Sequence, residues 1–521
     1  MAAGEKMHAF VPILSGSGSE GGSRSRTSRQ RSNLSVHAPA WWSQFVEWEH
    51  LTRPDGSHRS NQLLRQRYET LPERVKGPSQ MLGKVSPGCE GTQGVFPKCT
   101  FSCKPCYHSA DANHVRIDGI HTAIETARQM KVLDEHRGPH GHCQLIGGEV
   151  SLLSAEDHAT ALAIMKKYGR VPMSFSHGDF TYEYLKDVAV GPNGKRRFDR
   201  LDFAVHFDRF MVGRSGIRSP NSEAELNPYR RELLEKFKRL KREHNVDFFV
   251  AHNMTVQPGN VGEIASVLKD NLTAGFRLFS FQPAAFQGDQ RRWTADYKKV
   301  AENDGEDVWK EIEKGVGARL PYKVLQMGDS RCNRQCIGFV VGSKTKNRKF
   351  VPVLDDEDPK DIKIRNEFTK NFGSFVMPTR LLLIKFLRHL IRRPYYLGMF
   401  AMWFGRFLKR AGGVRVLFQG VMFLTIVMHR FMDAENVQSA WELMELGIDA
   451  TDPKIRETQE RLQACSYGMA QPDQGRVIPA CVQHSVYDPL QNKKLREQLP
   501  LTQTPKPVQK FADNQREVSV E

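Results

Sequence analysis

Five short apolar runs, set among amphipathic stretches of helical length, constrain the fold of this chain more than any other feature. The runs are HCQLIGGEV (142–150), VPMSFSHG (171–178), LDFAVHFD (201–208), VDFFVAHNMTV (246–256) and FRLFSFQPA (276–284). Around and between them lie DGIHTAIETARQMKVLDEH, SAEDHATALAIMKKYG, NPYRRELLEKFKRLKREH and NVGEIASVLKDNL, several opened by an Asp, Ser or Asn suited to cap a helix. Strand-length runs alternating with helices predict an α/β fold built on a parallel sheet or barrel. In such folds the working residues follow the carboxyl ends of the strands. The tripeptide Gly147, Gly148, Glu149 holds one such position, and Ser176, His177, Asp208, His252 and Gln282 hold others. Asp208 and His252 are the candidate catalytic residues, and each reads equally as a hydrogen-bonded structural group.

The stretch PKCTFSCKPCYHSADANH places Cys99, Cys103 and Cys106 at the spacing C-x3-C-x2-C. Three close thiolates suit a zinc ion, with His108 or Cys89 as fourth ligand, or three corners of a [4Fe-4S] cluster. No second matching pair lies nearby to complete a zinc finger, and a cubane held by three cysteines leaves one iron open to a chelating small molecule. The chain has nine cysteines, an odd number without a secretory leader, which argues for a reducing compartment and against a disulfide framework. Cys332 and Cys336 repeat a C-x3-C spacing, and Cys465 and Cys481 flank a turn-rich loop downstream. Together they are the candidate ligands of an auxiliary [4Fe-4S] cluster or a four-cysteine zinc site, the alternative being free thiols in the core. Cys143, inside an apolar run, reads as core.

The C-x3-C-x2-C motif, followed by a strand ending in Gly-Gly-Glu and by further βα units, resembles the radical S-adenosylmethionine superfamily over residues 85–288. The resemblance implies a partial (β/α)6 barrel. It implies that Cys99, Cys103 and Cys106 ligate a [4Fe-4S] cluster whose open iron binds the amino and carboxylate groups of S-adenosylmethionine. Gly147, Gly148 and Glu149 would then hold the methionyl end, and a low-potential reductant such as ferredoxin or flavodoxin would be the partner. Many members carry an aromatic residue just before the third cysteine, where this chain has Pro105 with Tyr107 after it. The closing FMDAEN and the C…PDQGRVIPAC cadence also resemble a subgroup that includes tetraether lipid synthases and related methylating enzymes. That likeness implies a lipid-like substrate, altered by methylation or carbon–carbon coupling.

Residues 371–430 change composition to basic and apolar. In LLLIKFLRHLIRRPYYLGMFAMWFGRFLKR the residues Lys385, Arg388, His389 and Arg392 fall on one helical face, with Leu, Ile and Phe on the other. This pattern fits a helix lying in a membrane interface, and equally an amphipathic helix packed on a core. No uncharged run reaches the ~18 residues of a spanning helix. The net charge of +17 suits a polyanion, either nucleic acid or an anionic membrane face, but no RNA-binding module is recognisable and nucleic acid is not expected. The expected organisation is a disordered tail (1–39), an N-terminal extension (40–84), the barrel (85–330), an auxiliary-cluster and linker region (331–370), a basic apolar helical segment (371–430), a cysteine-containing region (431–490) and a polar tail (491–521). The expected location is cytoplasmic, with peripheral contact to the inner membrane face. The competing readings are radical modification of RNA or protein, and a zinc-binding interaction protein without catalysis.

Overall fold

A computed structural model describes residues 40–54, 58–108, 110–293, 305–342, 348–377 and 379–501. The expected tail 1–39 and the last twenty residues lie outside the described residues. The strands are β1 (Cys89–Gly91), β2 (His142–Leu145), β3 (Val171–Ser176), β4 (Arg200–His206), β5 (Asp247–Val256), β6 (Leu278–Pro283), β7 (Asn333–Val341), β8 (Lys349–Pro352), β9 (Val421–His429), β10 (Tyr467–Gln471) and β11 (Arg476–Pro479). They form one 11-stranded sheet in the order β11-β10-β1-β2-β3-β4-β5-β6-β9-β7-β8. Every pairing from β10 across to β9 is parallel. The antiparallel pairs β10–β11, β9–β7 and β7–β8 close the two flanks.

The five apolar runs are β2 to β6. Leu201 to Val205 of β4 are buried at every position, the signature of a parallel strand covered on both faces. The connecting helices begin where their caps stand. Asp118 Oδ1 accepts from His121 N, Ser154 Oγ from Asp157 N and Thr181 Oγ1 from Tyr184 N. Asn227 departs from that pattern: it is the first residue of the helix Asn227–His244, and its side chain bonds Arg230, Asp270 and Asn271 instead of capping.

The parallel wall is wider than a six-stranded partial barrel. Its row β10, β1, β2, β3, β4, β5, β6, β9 recruits one strand from the segment expected to be helical and one from the cysteine-containing region. VMFLTIVMH, read as apolar helix, is β9, parallel to β6 and antiparallel to β7. Its β-branched Val421, Thr425, Ile426 and Val427 favour the extended state, and only its neighbours in the sheet reveal that preference. Residues 379–419 do form helices, Thr379–Arg392, Tyr395–Ala411 and Arg415–Gln419. The expected polar tail also begins late, because the helix Asp488–Gln498 buries Asn492 and Leu495.

Candidate active site

The ends of β2 to β6 and the residues after β9 converge on one cleft of about 1010 Å³, including its open mouth. Cys99, Cys103 and Cys106 all line it. Their loop is stitched to the end of β2, where Gly148 N donates to Phe96 O at 2.7 Å and Glu149 N to Lys98 O at 2.9 Å. A Cβ on Gly148 would stand 2.0 Å from Lys98 O, and one on Gly147 would stand 2.7 Å from the Phe96 ring. Both glycines are therefore needed for the cysteine loop to approach the strand at all. On its other side the loop hangs from the segment after β4, with Ser102 N on Val212 O at 2.9 Å and Lys104 N on Phe210 O at 3.3 Å. Asn113 Oδ1 accepts from Cys99 N at 2.9 Å.

Burial pushes the Cys99 thiol up to about 12, with the Glu149 carboxylate adding to the shift. Burial also raises Cys103 and Cys106, partly opposed at Cys106 by Arg292. Such thiols ionise only when a cation takes the place of their protons. Among the described residues no three His, Cys, Asp or Glu side chains stand close enough to hold a single metal ion. The donor set, three thiols opening onto one cleft, instead suits a cluster in which each thiolate takes a different iron. Two further groups fit an anionic, metal-centred occupant. Arg292, 7% exposed, lines the cleft with its Nε buried and unpartnered among the described residues. His108, held neutral by burial at about 4, also lines it, and its Nε2 has no partner among the described residues.

Glu149 is 1% exposed, and its carboxylate is fully engaged. Oε1 accepts from Ser151 N at 3.0 Å, Ser151 Oγ at 2.6 Å and Ser176 Oγ at 2.8 Å, and Oε2 accepts from His177 N at 2.8 Å. Ser176, His177, Asp208 and Gln282 all line the cleft. Asp208 Oδ1 accepts from Phe210 N at 2.9 Å, and Oδ2 lies 2.7 Å from His206 Nε2. His206 also lines the cleft, although it was not singled out in the sequence. The signal was the strand period: His206 and Asp208 are two residues apart and share a face, whereas Phe207 between them is fully buried on the other. Arg292 carried no such signal, because it ends a short 3-10 turn beyond the last apolar run.

The same parity corrects the placement of His252. Thr255 of β5 lines the cleft, so His252, at odd offset from it, faces the opposite layer. There it is fully buried, accepts from Arg230 Nε at 3.0 Å, packs against Phe207, Phe276 and Phe279, and is kept neutral by burial.

The second cysteine group divides. Cys465 and Cys481 lie just beyond the paired ends of β10 and β11, where Gly468 faces Pro479. Cys465 Sγ donates to Tyr467 O at 3.2 Å; burial raises both the Cys465 and the Cys481 thiols, and Cys332 adds to the shift of each. Cys332 joins them through its neighbour, since Asn333 Nδ2 donates to Ser466 Oγ at 2.9 Å. Arg461 Nε donates to Cys332 Sγ at 3.2 Å, while its Nη2 is buried without a partner among the described residues. Cys336 does not join. It lies inside β7, buried in the main core with Leu424 and Ile426. Cys89 is brought nearer instead: it opens β1 opposite Tyr467 and donates its N–H to Ser466 O at 2.8 Å.

No family model and no curated protein matches this chain. Among solved structures it is similar to SuiB from Streptococcus suis, at 11% identity over 38% of this chain and 40% of that chain, with a TM-score of 0.25. SuiB bound to S-adenosylmethionine gives 11% identity over 38% of this chain and 41% of that one, with a TM-score of 0.26. Native anSMEcpe with bound AdoMet gives 13% identity over 61% of this chain and 99% of that one, with a TM-score of 0.31. The aligned part thus spans about two fifths of the SuiB chain. Likenesses this remote carry no assignment, and the functional reading rests on the site itself.

Proposed function

We propose that this chain is a radical S-adenosylmethionine enzyme acting on an apolar, lipid-like substrate. The observation that carries the reading is the convergence of three thiols and a Gly-Gly-Glu turn at the carboxyl ends of a curled parallel sheet, around one cleft. With a [4Fe-4S] cluster on Cys99, Cys103 and Cys106 and S-adenosylmethionine on its open iron, the chemistry supplied is a 5′-deoxyadenosyl radical able to take hydrogen from an unactivated C–H bond. The chain's part is positioning. Gly147 and Gly148 let the cysteine loop close on β2, and the Glu149 carboxylate, fixed by Ser151, Ser176 and His177, offers negative charge where an ammonium group would bind. Arg292 offers the opposite charge for a carboxylate. Phe175, Met211, Pro283, Ala284 and Phe431 supply apolar wall, which favours a lipid-like substrate and keeps water from the reacting centre. Methylation or carbon–carbon coupling of that substrate is the reaction class proposed. Cys332, Cys465 and Cys481 would hold a second cluster, with Cys89, opposite Tyr467, replacing Cys336 as the further thiol of the group.

The test is anaerobic reconstitution with iron and sulfide, followed by dithionite, S-adenosylmethionine and assay of 5′-deoxyadenosine. The expected result is nucleoside release by the native chain and none by the Cys99→Ala/Cys103→Ala/Cys106→Ala variant. Equal release from both, or none from the native chain at full iron loading, overturns the proposal.

A further inference from the structure

The helix Thr379–Arg392 is packed inside out. Lys385, Arg388 and His389 of its basic face are turned to the protein: Lys385 is 1% exposed and donates from Nζ to Ser374 O at 2.7 Å, and His389, 3% exposed, stacks on Phe372. Arg388 reaches Thr52 Oγ1 at 2.7 Å and the Glu49 carboxylate at 3.2 Å. The apolar face points outward, leaving Leu383, Ile384, Leu387 and Ile391 exposed, the last at 79%. The next helix, Tyr395–Ala411, buries Phe407 and Ala411 against β7 and β8 but leaves other large apolar side chains outward. Arg406 and Arg410 hold it down on the Asp361 carboxylate, each at 2.6 Å, while Leu397, Phe400, Met402 and Phe404 are exposed. Phe418, in the short helix that follows, is 87% exposed. A helix serving a water-soluble surface buries its apolar stripe and presents its charges, so two consecutive helices that leave so many large apolar side chains outward mark an interaction face.

The charge on this stretch identifies the partner. From Thr379 to Met432 there is no Asp or Glu, and Arg380, Arg392, Lys409 and Arg415 are exposed cations. Exposed apolar side chains beside exposed cations, with no acidic residue, complement a surface that is apolar below and anionic above. We infer that these helices dock in the plane of an anionic lipid leaflet, their apolar side chains among the acyl chains and their cations at the headgroups. The helices have 14 and 17 residues, and among the described residues no helix is long and apolar enough to cross a membrane, so the mode is lying on rather than spanning. This inference goes beyond the proposed chemistry and needs neither iron nor S-adenosylmethionine.

Flotation of the full chain with vesicles of phosphatidylcholine, alone or mixed with phosphatidylglycerol, tests it. The expected result is binding to the mixed vesicles that weakens with added salt, with little binding to neutral ones. Leu387→Glu, Ile391→Glu and Phe418→Glu replace only exposed side chains, so the melting temperature should hold while affinity falls about tenfold per residue. Arg392→Glu/Lys409→Glu/Arg415→Glu should remove the salt-dependent part. Absence of binding to both vesicle types, or binding unchanged in the glutamate variants, overturns the inference. So does a dimer in light scattering that the glutamate variants dissolve, because the face would then be covered by a second copy. Nucleoside release by the glutamate variants should match the native chain, which separates failure here from failure of the proposed chemistry.

Discussion

The two cysteine groups of this molecule are built in opposite ways. Cys99, Cys103 and Cys106 sit on a single loop, which turns three sequence neighbours toward one cleft. Cys332, Cys465 and Cys481 come from three segments, gathered only because β10 and β11 fold back beside β1 and the turn before β7 reaches Ser466. The same C-x3-C spacing therefore means different things in the two places. In a loop the chain can bend so that both thiols face one point. Across the start of a strand, four residues of extended chain carry the second thiol about 13 Å away. Cys332 closes a turn on Asp329 O, and Cys336 is already inside the core.

This contrast can be broken most sharply by iron analysis. Cys103→Ala should abolish nucleoside release and lower iron by about four per chain. Cys465→Ala should lower iron by a similar amount while S-adenosylmethionine cleavage persists. Loss of about eight irons from either variant, or loss of S-adenosylmethionine cleavage in Cys465→Ala, would mean the groups are one site. Next in size is Gly148→Ala, which forces a Cβ against Lys98 O and should cost about 3 kcal/mol in a denaturant melt, with iron lost from the first group but kept by the second.

A smaller effect concerns pH. Each cysteine group has a neutral histidine beside it: His108 by the first, and by the second His429, whose Nδ1 lies 2.6 Å from Asn333 Oδ1. Burial lowers both to about 4 from an ordinary value near 6.5. Between those values the unfolded chain binds more protons than the folded one, so stability falls as pH drops from 6.5 toward 4. The iron-free protein should melt progressively earlier over that range, and His429→Asn should flatten the slope. The smallest effect is Cys336→Ala, expected to leave iron unchanged and cost about 1 kcal/mol through a small core cavity. Iron loss in that variant would restore Cys336 to the cluster.

What the sequence disclosed follows the same division between local and assembled features. The strands β2 to β6, with caps at Asp118 and Ser154, were legible because apolar period and capping chemistry are properties of short stretches. The first cysteine loop and its Gly-Gly-Glu partner were legible for the same reason. β9 was not, since a nine-residue, mostly apolar run beside apolar helices reads as helix until its place between β6 and β7 is known. His206 was recoverable from the period of two, and that period also argues against His252. Arg292 and the grouping around Ser466 depend on tertiary placement and left no mark in any window. The outward apolar face of Thr379–Arg392 inverts the usual reading of an amphipathic pattern. The pattern locates two faces, and only the contacts of Lys385 and Arg388 show which one the protein keeps.

The central claim is that three thiolates hold a cluster with one iron left for S-adenosylmethionine. Electron paramagnetic resonance of the anaerobically reconstituted, dithionite-reduced Cys465→Ala/Cys481→Ala variant tests it most directly, because that variant should retain the first cluster alone. The expected result is a reduced [4Fe-4S] signal whose shape changes when S-adenosylmethionine is added, with coupling to a ¹⁵N-labelled amino group seen by electron–nuclear double resonance. Zinc in place of iron, or an iron signal indifferent to S-adenosylmethionine, would contradict it.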